Sequence, residues 1–244
     1  SPPEDRGMAS VSKTLLLELT KQLRAKELAA ALRDAPALLG ARDKRGRTWL
    51  HVACGVNVKE RGLKPAAAIA TAAVLLEAGI DLEDAAFTEA ENDFRATPLW
   101  YAVAWGKNVA LVKYLLERGA VPNHCLWAAA YNDDVESLRL LAKHGAPLDA
   151  SAEDASPFLF AVQWSRFRGA EELLKLGADV NFKSAKGMTA LHHMLKKGSG
   201  PKHLRMLAKY RPRTDIPNRD GVTAAEIMSR KRDPFFRELA AALA

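Results

Sequence analysis

Between Thr97 and Ala120 the chain reads TPLWYAVAWGKNVALVKYLLERGA, and its apolar positions fall at helical spacing in two short runs. Thr97-Pro98 opens a first helix with small residues at Ala102 and Ala104, and Gly106 begins a tight turn. Val112, Leu115 and Leu116 then mark the apolar stripe of a second helix that stops at Gly119. Proline in the first turn and glycine just past the last one sit where their backbone preferences place them. A helix pair this short cannot bury its apolar face alone, so the pattern predicts copies of itself stacked on either side.

The copies recur along the sequence. With the first Thr as phase marker, they begin at Thr48 (TWLH), Thr97 (TPLW), Ser156 (SPFL), Thr189 (TALH) and Thr223 (TAAE), with a degenerate copy at Asn123 (NHCL). Successive markers lie 49, 26, 33, 33 and 34 residues apart, so the last three steps hold one period. Five residues after the marker stand Ala53, Ala102, Ala128 and Ala161, small where helices must approach, and then Met194 and Met228. The second helices close in LLEAGIDLE, LLERGAVPN, LLAKHGAPLD and LLKLGADVN.

With these motifs the chain resembles the ankyrin-repeat family, whose pattern runs D-x-x-G-x-T-P-L-H-x-A-A and closes L-L-x-x-G-A-D-V-N. The resemblance extends from residue 43 to residue 230. It implies an all-α ankyrin-repeat solenoid of stacked helix-turn-helix units with finger loops, capped at both ends. Residues 1–11 are set aside as a flexible leader or expression remnant, and 12–244 are expected to form a single domain. Within it an amino cap spans 12–42, repeats span 43–91, 92–122, 123–150, 151–183 and 184–217, and a carboxyl cap spans 218–244.

Departures from the period are informative. After Cys54 the first repeat carries extra residues within GVNVKERGLKPAA, and again within DAAFTEAEND, as insertions that loops absorb at modest entropic cost. The third copy is short: Val121-Pro122-Asn123 runs straight into CLWAAAYNDD and leaves no room for a finger. At the amino end LLLELTKQLRAKELAAALRDAPALL predicts two amphipathic helices broken near Ala25 and ending before Pro36. At the carboxyl end Asp233-Pro234 starts a helix whose Phe235, Phe236 and Leu239 are expected to close the core.

Charge changes the picture more than composition does. The 36 basic and 29 acidic residues give a net +7, unevenly spread. Glu77 to Asp93 holds seven acidic residues and no basic one, whereas Lys183 to Arg237 holds fourteen Lys and Arg against four Asp and Glu. A partner of complementary charge would be steered onto such a polarised chain. No apolar run is long enough to span a bilayer, and no signal-peptide pattern is present. Cys54 and Cys125 read as buried free thiols within first helices, which suits a reducing compartment. A cytoplasmic monomer is expected, with secretion as an effector left open.

Catalytic and cofactor signatures are missing: no G-x-S-x-G, HExxH, GxxxxGK[ST] or GxGxxG occurs. His192, His193 and His203 lack a carboxylate or Cys at metal-ligand spacing, and KKGSGPK (Lys196 to Lys202) reads as a basic turn. No catalytic residue, metal or cofactor is therefore expected. In the family the His of T-x-L-H hydrogen-bonds within its repeat, which implies a structural role for His51 and His192.

The family docks partners on the concave face formed by fingers and first helices. Carried over, that face receives the residue eight after each marker: Val56, Trp105, Tyr131, Trp164, Lys197 and Lys231. Trp105, Tyr131 and Trp164 would form an aromatic stripe, and Lys196-Lys197 with Arg230-Lys231 a basic end, together suited to a protein or peptide with an apolar anchor and an acidic flank. The same rings could instead lean onto adjacent helices and fill space; for Trp100, Tyr101, Trp127 and Phe160 that packing role is the expected one. Fingertips add Lys44, Arg45, Arg47, Asp93, Phe94, Glu153, Lys186 and Met188 as a second candidate surface. Two further readings stay open: nucleic-acid binding through the basic carboxyl third, and a non-catalytic part of a larger enzyme.

Overall fold

In all but one pair, that of Cys125–Tyr131, the first helix begins with a side chain that satisfies a free amide. In the computed structural model, which describes residues 11–88, 94–151 and 154–244, Ser12, Thr48, Thr97, Ser156, Thr189 and Thr223 each accept a hydrogen bond from the amide three residues on. Second helices use Asn108 and Asp134 in the same way, or start on Pro65, Pro201 and Pro234. Apart from Asn123, the markers that set the repeat in sequence are thus the N-caps that set it in space.

The chain divides into two compact units, Ser1–Val121 and Pro122–Ala244. The amino-terminal unit holds α1 (Lys13–Lys21), α2 (Ala25–Asp34), α3 (Trp49–Cys54), α4 (Pro65–Glu77), α5 (Pro98–Tyr101) and α6 (Val109–Glu117). Here α1, α3 and α5 pack in one row and α2, α4 and α6 in a second. The carboxyl-terminal unit holds α7 (Cys125–Tyr131), α8 (Val135–Lys143), α9 (Pro157–Gln163), α10 (Phe167–Lys175), α11 (Ala190–Lys197), α12 (Pro201–Ala208), α13 (Ala224–Ser229) and α14 (Pro234–Leu243). First helices α7, α9, α11 and α13 again form one row, and α8, α10, α12 and α14 the other. Each core lies between its rows, on Leu16, Leu50, Leu75, Leu99 and Leu111 in the first unit and on Leu126, Leu138, Phe158, Leu173 and Leu207 in the second.

Successive repeats are also stitched by directed bonds. The Thr48 amide donates to Nδ1 of His51 at 3.2 Å, and Nε2 of the same ring lies 3.2 Å from the carbonyl of Ala96, at the base of the following finger. Thr189, His192 and the carbonyl of Val222 repeat the arrangement, with His192 Nε2 at 3.1 Å. A carbonyl can only accept, so Nε2 carries the proton and Nδ1 is free to receive the N-cap amide. The family role implied for these histidines, a bond within the repeat, is therefore half of what they do. Loop side chains add rungs: Asp149 accepts the amide of Asp179 at 2.8 Å and Asn181 that of Arg213 at 2.8 Å. Arg139 and the buried Glu172 join α8 to α10 through two bonds of 2.6 and 2.9 Å.

Several local expectations change. The first helix of the Thr97 copy is α-helical only to Tyr101, and Ala102–Gly106 forms a wide π turn. Gly106 passes so close to the first repeat that a Cβ there would lie 2.2 Å from the carbonyl oxygen of Cys54. The insertion after Cys54 folds inward on the buried Val56 and Val58. The second insertion is the stem of a finger: β1 (Ala86–Phe87) pairs antiparallel with β2 (Arg95–Ala96). In the third copy the missing finger is replaced by a turn in which His124 takes a left-handed φ of 60°. At the carboxyl end only Leu239 is buried; Phe235 and Phe236 are half-buried and covered by Arg205 and Lys231, whose charges sit 5.1 and 4.9 Å from their rings.

Gly106→Ala is expected to cost about 2 kcal/mol or more, because the Cys54 backbone cannot move aside cheaply. Gly40→Ala, with nothing near its added Cβ, serves as the neutral control in urea denaturation. Burial lowers the pKa of His51 from 6.5 to about 4. Below pH 6.5 the unfolded chain takes up a proton that the folded one refuses, so stability present at neutral pH is lost as pH falls toward about 4. The expected slope is about 1.4 kcal/mol per pH unit for this group. A His51→Gln variant should show a denaturation profile flatter by that one proton.

Candidate functional site

The amino-terminal unit packs its aromatic residues together. Tyr101 is fully buried, donates its hydroxyl to the carbonyl of Phe87 at 2.7 Å, and meets His51 edge-on at 5.1 Å between ring centroids. Trp105 is half-buried and lies edge-to-face on Tyr101 at 4.7 Å and on Trp100 at 5.7 Å. Phe94 in turn packs on Trp100 at 5.5 Å. Val56, placed on the groove by the sequence pattern, is buried. Arg45 donates to the carbonyl of Thr88 at 2.8 Å, and Arg47 pairs with Asp43 at 2.6 Å. These two guanidinium groups therefore hold fingers in shape.

The carboxyl-terminal unit presents a different surface. Tyr131 is 43% exposed and Trp164 51% exposed, each at the end of a first helix. The chain reverses just beyond them through Asp133 and Ser165, whose φ values of 55° and 57° end the helices abruptly. Tyr131 and Trp164 meet edge-to-face at 5.3 Å, over a half-buried Phe160 at 6.4 and 6.1 Å. Trp127, lower on α7, donates its indole N–H to the carbonyl of Ala155 at 3.2 Å, as a packing residue should.

Two cations flank the ring pair. The Arg166 guanidinium lies 5.1 Å from the centroid of Tyr131, and the Lys197 ammonium donates to the carbonyl of Gln163 and to Oγ of Ser165, both at 2.9 Å. Lys196 and Arg230 are exposed, whereas Lys231 is half-buried over Phe236. The sequence pattern therefore brings Tyr131, Trp164 and Lys197 together and sets Lys231 apart. It passed over Arg166 and Ser165, although both stand in the turn directly after a groove position. Of the fingertip candidates, Lys44 and Lys186 are exposed and Met188 is buried, while Asp93 and Glu153 lie outside the described residues.

Among the described residues no three of His, Cys, Asp and Glu gather as metal ligands, and His203 is stacked on Phe167 at 3.9 Å. Cys54 is buried, and burial pushes its thiol well above the ordinary range. An open cleft of about 390 Å³ between α2 and α4 is lined mostly by Leu32, Pro36, Val74 and other apolar groups. Among the described residues no helix is long and apolar enough to cross a membrane.

The ankyrin repeat family model matches residues 95–125, the stretch that carries the clearest copy of the repeat. The crystal structure of the human ASB11 ankyrin repeat domain is similar over 93% of this chain and 96% of that one, with a TM-score of 0.72 at 21% identity. That of the ankyrin repeat domain of Bcl-3 is similar over 93% and 97%, with a TM-score of 0.73 at 19% identity. No curated protein matches the sequence. The chain has the ankyrin-repeat fold. Ankyrin-repeat domains are in general protein-protein interaction modules and typically non-enzymatic.

Packing in one unit and exposure in the other should separate in stability measurements on this ankyrin-repeat chain. Trp105→Ala is expected to cost about 2–3 kcal/mol, since it empties a partly enclosed aromatic cluster. Trp164→Ala should cost less than about 1 kcal/mol, mostly the lost ring pair. Urea midpoints of the two variants, compared at equal m-values, decide the point.

Proposed function

We propose that this ankyrin-repeat chain is a non-catalytic binding module whose docking surface is the ridge of the carboxyl-terminal unit, Tyr131 and Trp164, with Lys197, Lys196 and Arg230 as its basic end. One observation carries the reading: two large aromatic side chains in successive repeats, both more than two-fifths exposed, touch each other. Aromatic residues in such positions are the type that dominates binding energy when a partner dehydrates them, at about 2 kcal/mol or more each. Their preorganisation helps, because a ring already pinned by its neighbour loses little freedom on binding. Trp105, Arg45, Arg47 and Phe94 support the scaffold in this reading. The buried thiols of Cys54 and Cys125 suit a reducing compartment.

The test compares captured proteins. Full-length wild type, the Tyr131→Ala/Trp164→Ala double variant and a Lys44→Ala control are immobilised and exposed to extract of the source cell. A protein retained by wild type and control and lost from the double variant, at unchanged helicity by circular dichroism, is the expected outcome. Equal retention on all three would remove the ridge from the function. Retention of nucleic acid instead, abolished by modest salt, would shift the reading to polyanion binding.

A further inference from the structure

The ridge contains more than rings. Arg166 sits over the ring of Tyr131, its guanidinium 5.1 Å from the centroid. Lys197 reaches back from α11 to the end of α9, so that its ammonium is held beside Trp164 by two acceptors, the carbonyl of Gln163 and the Ser165 hydroxyl. An ammonium has three N–H donors, and these two bonds leave one over. Among the described residues neither cation forms an ion pair with a carboxylate. The carboxylates nearby are engaged elsewhere: Asp133 accepts the amide of Gly169 at 2.6 Å and Asp134 caps α8 at 3.1 Å.

We infer that the ridge recognises one class of ligand, an extended peptide segment that sets an apolar or aromatic anchor on Tyr131 and Trp164 and a carboxylate side chain, within three residues of that anchor, on Lys197 and Arg166. This rests on the docking reading above and adds the chemistry of the partner. Two features carry it. The cations are pinned before any ligand arrives, so each offers a charge-assisted bond at reduced entropic cost. The spacing follows from packing: neighbouring helices lie about 8–10 Å apart, and an extended chain advances about 3.3 Å per residue, so one repeat is crossed in about three residues. A cationic ligand is disfavoured by the same charges, despite the aromatic rings.

The experiment selects a random peptide library of neutral-backbone-flanked 12-residue segments on the immobilised full chain, in parallel with a Lys197→Glu variant. Peptides enriched on wild type should share an aromatic or large aliphatic residue with Asp or Glu within three positions. Changing that acid to Ala should weaken binding about tenfold, the size of one charged interface contact. On Lys197→Glu the same peptides should bind weakly, and exchange of their acid for Lys should restore binding. That rescue cannot arise from a misfolded variant. Enriched peptides that need Tyr131 and Trp164 but show no acidic residue near the anchor would overturn this inference and leave the docking reading in place. Enrichment indifferent to a Tyr131→Ala/Trp164→Ala variant, or no enrichment at all, would overturn both.

Discussion

A helix pair of two or three turns leaves one apolar face open, and everything in this chain follows from covering that face with the next pair. Length alone makes the constraint severe: first helices such as α3 and α13 run to six residues, too few to hold a helix by backbone bonds without tertiary support. Stability then resides in the rows of neighbours, and the fully buried leucines of each unit belong to the joins between pairs as much as to any single pair. The directed bonds follow the same logic. A neutral histidine that holds its own N-cap amide on one nitrogen and the next finger's carbonyl on the other fixes the offset between repeats, which dispersion forces alone leave loose.

The irregular places show what that offset demands. Where Gly106 meets the carbonyl of Cys54, neighbouring pairs approach closer than any side chain would permit, and the helix above opens into a π turn. Wide turns of this kind accumulate where a helix must adjust its register without ending. The aromatic cluster of His51, Trp100, Tyr101 and Trp105 fills the space that results. In the other unit Tyr131 and Trp164, at the ends of the first helices α7 and α9, remain 43% and 51% exposed. The same sequence position thus yields a packing residue at Trp105 and an exposed one at Trp164.

Charge is organised with similar economy. Many acidic side chains of the carboxyl-terminal unit are taken up by amides or by arginine: Asp134 and Asp233 at helix starts, Asp149 and Asp154 at the next repeat's loops, Glu172 with Arg139. Among the described residues Arg166, Lys196, Lys197 and Arg230 of the ridge form no ion pair with a carboxylate. Arg45 and Arg47 show the converse, since a finger loop needs them to close.

The sequence by itself determined the repeat, its phase and its caps, because those depend on local chemistry. A Thr or Ser that caps a helix, a proline after it, a glycine beyond the end and leucines at helical spacing act over a few residues and leave a periodic trace. It also marked one position per repeat as a candidate to face outward. Tertiary structure decided which of those positions do. Whether Trp105 or Trp164 meets solvent depends on the side chains packed around it: Trp105 lies on Trp100 and the buried Tyr101, whereas Trp164, against Tyr131 and Phe160, stays 51% exposed. The places of Arg166 and Lys197 were decided in the same way. A long flexible side chain takes its direction from the acceptors and rings that the adjacent repeat happens to offer, and no spacing along one strand of text encodes those.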